Sequence, residues 1–313
     1  FNIASRMFTA MTDYDSIDAL PDKKGRVKPK MRKQNAATLN TLRPNLFNGG
    51  IYFISKQNYQ QAYALLDQYI SAADLPMFKS YNYSSKDKHL LEAAYWAAYC
   101  GYKTHDAKKV LHNTYLALKD KDHHESMMQY LVATYMLEKD TARSVEALKE
   151  GFRAYPKSNY FYAHLMDYYS GKADWKKATE LTNEALKADS ANLTVWLAQS
   201  TLLINTGDYE HSFLIADSLV KRDSTMAEAW LNAGLAKYNL GVNLDKNSQM
   251  LKQKRQQTLR YYKEALPYLE QYRKLEPQNT DKWALPLYTI YLNLNMGKQF
   301  DEIDKILNGK PKS

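Results

Sequence analysis

The stretch Leu193–Met226, LTVWLAQSTLLINTGDYEHSFLIADSLVKRDSTM, follows Asn159–Asn192, NYFYAHLMDYYSGKADWKKATELTNEALKADSAN, and the two superpose without a gap. Trp175 stands over Tyr209, Ala178 over Ser212, Ala185 over Leu219 and Ser190 over Ser224. Working outward, Trp230 lies 34 residues beyond Trp196, and Ser144, Gly151 and Pro156 lie 34 before Ala178, Ala185 and Ser190. One step shared by five separate series marks an internal repeat. It divides the chain into Leu91–His124, Glu125–Ser158, Asn159–Asn192, Leu193–Met226 and a block opening at Ala227.

Each block predicts two helices. In Leu193–Met226 the apolar residues Val195, Trp196, Leu202, Leu203 and Ile204 build the first. Thr206-Gly207-Asp208 breaks it, glycine supplying the left-handed conformation of a helix C-cap. A second helix opens at Tyr209 and buries Phe213, Ala216, Leu219 and Val220 on one side. Asp223-Ser224-Thr225 ends it and offers an N-cap to the next. A lone hairpin cannot cover its own apolar face, so stacked neighbours must do so. The fold class expected from the residues is all-α, a solenoid of helical hairpins.

Composition agrees. The 313 residues hold only 11 Gly and 9 Pro, too few for the frequent turns of a sandwich or barrel. The longest uncharged apolar run, Ala93 to Tyr102, is too short to cross a bilayer. A single cysteine, Cys100, rules out an internal disulfide and a multi-cysteine zinc site. Net charge is +9, but seven basic residues between Lys23 and Lys33 and six between Lys246 and Lys263, with no acid among either set, account for more than all of it. The rest of the chain is mildly acidic, unlike the continuous basic face of a nucleic-acid binder.

The position of the large aromatic in the first helix is held by Tyr162, Trp196 and Trp230, with Ser200 and Gly234 as the small residues that follow. The small residue that faces across to it from the second helix is Ala62, Ser144, Ala178, Ser212 or Ala265. Gly207-Asp208-Tyr209 and Ala173-Asp174-Trp175 form the turns, and Leu275-Glu276-Pro277-Gln278-Asn279 a repeat ending. On these residues the chain resembles the tetratricopeptide repeat family from about Arg43 to Leu307. Ala94 and Met128 depart from its aromatic position, and Lys237 from an apolar one. The resemblance implies a right-handed superhelical solenoid of about seven helix-turn-helix hairpins over 43–307. A helical segment with a basic loop precedes it over 1–42, and a tail follows over 308–313. Insertions are expected near 77–90 and 242–260, the second read as a helix extension kinked at Pro267.

The resemblance also implies that first helices line a concave groove holding a protein or peptide. The residues then facing the groove are Tyr95, Tyr99 and Tyr102, then Gln129, Ala133 and Met136, then Ala163, Asp167 and Ser170. Leu197, Thr201 and Ile204 follow, and finally Leu231, Leu235 and Tyr238. The tyrosine stripe is expected to be at least half exposed and to form the main anchor, because Ala94, Ala97, Ala98 and Gly101 occupy the helix-facing positions. The Lys, Asn and Arg set that grips chaperone tails in this family is missing.

No elbow, phosphate loop or dinucleotide motif is present, and His123-His124-Glu125 lacks the spaced histidine pair of a zinc helix. No enzyme activity, cofactor or metal is therefore expected. The basic run Lys23, Lys24, Arg26, Lys28, Lys30, Arg32 and Lys33 reads as a solvated loop before a helix over Gln34–Leu42. Its functional alternative is an electrostatic adaptor; nucleic acid is the weaker variant, since no aromatic interleaves it. A second alternative is a glycan-binding envelope protein using the tyrosines. The chain opens on Phe1, read as a processed start, and looks like uncharacterised exported bacterial repeat proteins, so a periplasmic or envelope location is expected.

Overall fold

The computed structural model describes residues 1–245 and 252–308, which form helices, turns and loops with no strand. The chain is built as two compact units, Phe1–Tyr155 and Pro156–Ser313. The first holds α1 (Asn2–Asp18), α2 (Arg32–Ser55), α3 (Tyr59–Ser71), α4 (Tyr83–Lys86), α5 (Leu90–Lys103), α6 (Ala107–His112), α7 (Thr114–Ala117), α8 (His124–Leu137) and α9 (Thr141–Ala154). The second holds α10 (Asn159–Gly171), α11 (Trp175–Ala188), α12 (Leu193–Thr206), α13 (Tyr209–Arg222), α14 (Ala227–Asp245), α15 (Lys252–Leu275), α16 (Thr280–Asn293) and α17 (Gly297–Asn308). Paired in order they make seven hairpins among the described residues: α2–α3, α5 with α6 and α7, α8–α9, and four in the second unit. The fold is an all-α solenoid of tetratricopeptide type. The expected blocks start at, or one residue from, the first residues of α5, α8, α10, α12 and α14.

A turn shared by five of the hairpins explains the period. A residue with left-handed φ is followed at once by an Asp or Asn: Gln57-Asn58, His105-Asp106, Lys139-Asp140, Ala173-Asp174 and Gly207-Asp208. The N–H of that second residue closes the first helix from below, as in Asp140 to Tyr135 O (2.9 Å or shorter in every case), the Schellman bond. Its side chain then caps the second helix by accepting from the N–H three residues on, at Gln61, Lys109, Arg143, Lys177 and His211. Left-handed φ costs a non-glycine residue roughly 1–2 kcal/mol, and those closing bonds offset it. Glycine accordingly occupies only one of these five turns, at Gly207.

The small residues expected to face across the hairpin, Ala62, Ser144, Ala178, Ser212 and Ala265, are all buried. Their partners approach closely. A Cβ added to Gly234 would lie 2.6 Å from Leu269 Cγ, and one on Gly101 only 2.6 Å from the backbone nitrogen of Val110. Ser212 donates to the carbonyl of Ser200 (2.8 Å), which satisfies a buried hydroxyl. Trp196 and Trp230 each donate to the carbonyl six residues earlier, at Ser190 (2.9 Å) and Ser224 (3.0 Å), tying each hairpin to the loop before it.

Two expectations are corrected. The boundary placed between residues 42 and 43 falls inside α2, which starts at Arg32 rather than Gln34 and runs on through Pro44. The second helix of the block Leu91–His124 is broken in two at Asn113, a buried amide that donates to Asp67 (3.2 Å). α15 runs through Pro267 to Leu275. Of the insertion over 242–260, α14 covers the start as far as Asp245 and α15 the end from Lys252; the residues between lie outside the described ones.

Gly101 and Gly171 give contrasting tests. At Gly101 the neighbour is backbone and cannot move aside, so Gly101→Ala should cost about 1–3 kcal/mol. At Gly171 nothing lies within 4 Å, and Gly171→Ala should be neutral or stabilising by up to about 1 kcal/mol. Denaturant unfolding of the two variants checks the difference.

Candidate functional site

On α5 the tyrosine stripe is packing, contrary to the expected exposure. Tyr95 is buried, and Tyr99 and Tyr102 are each well under half exposed. The cover comes from α8. Tyr130 stacks on Tyr102 (4.6 Å, 19°) and on Tyr95 (5.9 Å, 19°), and its hydroxyl lies 3.2 Å from that of Tyr95. His123 stacks on the other side of Tyr95 at 4.1 Å, held by its Nδ1 contact with Asp120 (2.9 Å). Tyr99 meets Tyr59, Trp96 and Tyr130. The aromatic rings thus join α3, α5 and α8, and His123 belongs to that packing. His124 pairs with the hydroxyl of Tyr155 (2.9 Å).

What remains open on this face is a cavity of about 410 Å³, in which Tyr102, Ala133, Met136 and Leu137 meet His105 and Asp106. Met136 and Leu137 are 41% and 51% exposed, so its mouth is apolar and wet. Gln129 lies one turn away and donates weakly to Glu125 (3.4 Å).

In the second unit α10 and α12 place Met166, Asp167, Ser170, Leu197, Thr201 and Asn205 around a cavity of about 390 Å³. These include four of the residues expected on the groove. Asp167 and Thr201 are exposed, and Asp167 makes no ion pair among the described residues. Glu228, also on the wall, takes the ammonium of Lys282 (2.7 Å). The buried Asn232 braces Thr201, its amide donating to Ser200 (2.7 Å) and Thr201 (2.8 Å). Ile204 is half-buried outside this cavity. Tyr238 stacks on Tyr262 (5.9 Å) and reaches Thr289 (3.4 Å), a packing position.

The basic run is less free than its charge suggests. Arg32 makes a bidentate pair with the buried carboxylate of Asp15, which ties α1 to α2. Arg26 pairs with Asp22 and closes a short turn. Lys23, Lys24, Lys28, Lys30 and Lys33 are exposed. In the later run Arg260 pairs with Glu264 (2.9 Å); Lys246 lies outside the described residues.

Sequence reading missed a further cavity, between α2 and the insertion before α5, where Arg43, Tyr81, Tyr83 and Asp87 meet. Its signal was available: the residues over 77–90 that break the 34-residue step carry Tyr81, Tyr83, Asp87 and His89 together. Among the described residues no group of three metal-ligating side chains converges, and no helix is long and apolar enough to cross a membrane.

No protein-family model and no curated protein matches this chain. Among solved structures it is similar to the human IFIT1 dimer with m7Gppp-AAAA, at 12% identity over 97% of this chain and 72% of that one, with a TM-score of 0.47. It is also similar to the TPR domain of P58(IPK), 12% identical over 93% of this chain and 76% of that one, with a TM-score of 0.33. The TPR2AB domain of yeast Sti1 in its pHSP90 complex is 10% identical over 81% of this chain and 98% of that one, with a TM-score of 0.31.

Burial keeps several of these phenols neutral. Tyr63 is pushed up to about 12 by burial and then by Asp67, and Tyr83 to about 12 by burial, with Arg43 pulling the other way. Tyr130 is raised further, by burial and by the hydroxyl of Tyr95. An unfolded phenol ionises near 10. The stability from these raised groups is therefore complete below that pH and drains away as pH climbs past it towards the folded values. The urea midpoint should hold from about pH 7 to 9 and fall by about pH 11, less steeply in Tyr130→Phe; a midpoint unchanged at the high pH would contradict this.

Proposed function

We propose that the protein is a non-enzymatic helical-repeat scaffold that binds a protein or peptide segment on the first-helix faces of its hairpins. The observation that carries this is the cavity around Asp167. At about 390 Å³ it has room for a long side chain and part of its backbone, its walls are apolar at Met166 and Leu197, and among the described residues Asp167 makes no ion pair. A lysine or arginine fits it: the aliphatic stem lies along the apolar wall and the charged head reaches the carboxylate. The cavity beside Tyr102 and Met136 suits an apolar side chain for the complementary reason. The partner is thus a segment presenting basic and apolar residues, and the anchor shifts from Tyr99 to the open positions. The periplasmic or envelope location forms part of the proposal and rests on the resemblance to exported repeat proteins alone.

Selection of random displayed peptides on the immobilised chain tests the reading. Peptides bearing Lys or Arg beside apolar residues should be enriched. Asp167→Asn should weaken the selected peptides by about 1 kcal/mol, the worth of a partly exposed charge contact, and leave the melting temperature unchanged. Peptides with no basic preference, or an equal affinity for Asp167→Asn, would refute it. Tyr99→Ala should instead lower the stability of the unit Phe1–Tyr155 by about 3 kcal/mol, as aromatic truncation in packed sites does.

A further inference from the structure

Arg43 is buried on α2 with its guanidinium between two rings, 3.7 Å from the centre of Tyr69 and 3.9 Å from that of Tyr83. It donates to Asp87 (2.5 Å) and to the carbonyl of Tyr69 (3.0 Å), while its Nε–H is buried with no acceptor. Asp87 also accepts from the hydroxyl of Tyr69 (2.7 Å) and the backbone N–H of His89 (2.9 Å), so its negative charge is spent internally. Beside this neutral pair opens a cavity of about 420 Å³ walled by Phe47 and Tyr81 and edged by Asn40, Asn48 and Lys86. Asn40 uses its carbonyl oxygen on the hydroxyl of Tyr83 (2.6 Å), which leaves its amide N–H groups.

Tyr81 also borders a second cavity, of about 610 Å³, lined by Lys33, Lys79, Pro76 and Met77. Arg32 lies there too, committed to Asp15. Lys33, Lys79 and Lys86 are exposed. The two cavities therefore offer aromatic faces, amide donors and three ammonium groups, with no uncommitted carboxylate among their lining residues.

Flat apolar faces with hydrogen-bond donors at the edge suit a ring that carries both C–H faces and hydroxyls. The cations decide its charge. They are distributed, one lysine in the first cavity and two in the second, rather than converging on a point. A nucleotide brings several phosphate charges to one place and is met by a helix N-terminus or a nest of N–H groups. One charge per ring, on consecutive rings, suits cations divided between two adjoining cavities. We infer that the unit Phe1–Tyr155 carries a binding site for an acidic, uronate-containing oligosaccharide, with one ring in the Arg43 cavity, the next in the Lys33–Lys79 cavity and Tyr81 between them. The site is separate from the cavities beside Asp167 and Tyr102 and gives the scaffold a second ligand.

Calorimetric titration of the full chain with a tetramer of galacturonic acid, and with the same tetramer methyl-esterified, tests this. The acid should bind, and the neutral ester should bind about tenfold more weakly or not at all. Lys79→Gln and Lys86→Gln, both exposed changes, should keep the melting temperature and each weaken the acid about fivefold, and added salt should weaken it further. Tyr81→Ala should abolish the heat of binding. No binding of the acid, equal binding of the ester, indifference to both lysine changes, or displacement of the acid by a short oligonucleotide that itself binds in a Lys79- and Lys86-dependent way would overturn the assignment.

Discussion

At five of the hairpin turns one residue, through its side chain and its own N–H, holds both helices, and those hydrogen bonds govern this fold. Asp106, Asp140 and Asp174, with Asn58 and Asp208, each end one helix through the backbone and begin the next through the side chain. Because both helices end on the same residue, the turn has almost no freedom. The angle at which the second helix leaves is set, and with it the meeting of small residues such as Ser144 and Ala178 with the helix across. Charge reinforces the cap. The carboxyls of Asp106 and Asp174 are held below their ordinary range first by the side chains of Lys109 and Lys177, and that of Asp140 first by the backbone N–H of Arg143. A carboxylate at a helix N-terminus also sits favourably in the helix dipole.

Much of this was legible before any coordinates. The step of 34 residues located the hairpins and the cross-helix positions, because packing between adjacent hairpins demands the same residue size at the same place each time. The turn was legible in part: Ala173-Asp174-Trp175 and Gly207-Asp208-Tyr209 are marked by the aromatic that follows, whereas His105-Asp106-Ala107 and Lys139-Asp140-Thr141 continue the same series without one. The tyrosines of α5 were misread for a physical reason. Helical periodicity says which side chains share a stripe but not what covers it, and the cover, Tyr130, comes from the next hairpin. Tyrosine is the residue type for which the error is easiest, since its ring packs as well as it binds. Asp167 and Thr201, expected on the groove from the resemblance and the first-helix spacing, are exposed, with no ring laid over them as Tyr130 is over α5.

Counting charge was similarly incomplete. Seven basic residues between Lys23 and Lys33 suggest one surface, yet Arg32 serves a buried carboxylate 17 residues away, and Arg43, outside the run, is the one that is buried. The Arg43–Asp87 pair secures the insertion before α5 to α2. A buried ion pair contributes little net stability compared with an apolar substitute, but losing one partner costs about 3–5 kcal/mol. Such a pair fixes position. It holds Tyr83 against α2 and, through the stack of Tyr81 on Tyr83 (5.7 Å, 23°), the ring that separates the two cavities. The regular hairpins supply repeated, shallow first-helix faces, and the break in the repeat supplies a differently built pocket.

Hydrogen exchange on Asp140→Ala tests the turn most directly. If each hairpin is closed by its own left-handed residue and cap, protection should fall at the N–H of Arg143 and at the neighbouring amides of α8 and α9. The amides of α10 to α17 should exchange as in the unaltered chain. Loss of protection spread evenly over both units, or no loss at Arg143, would contradict the account.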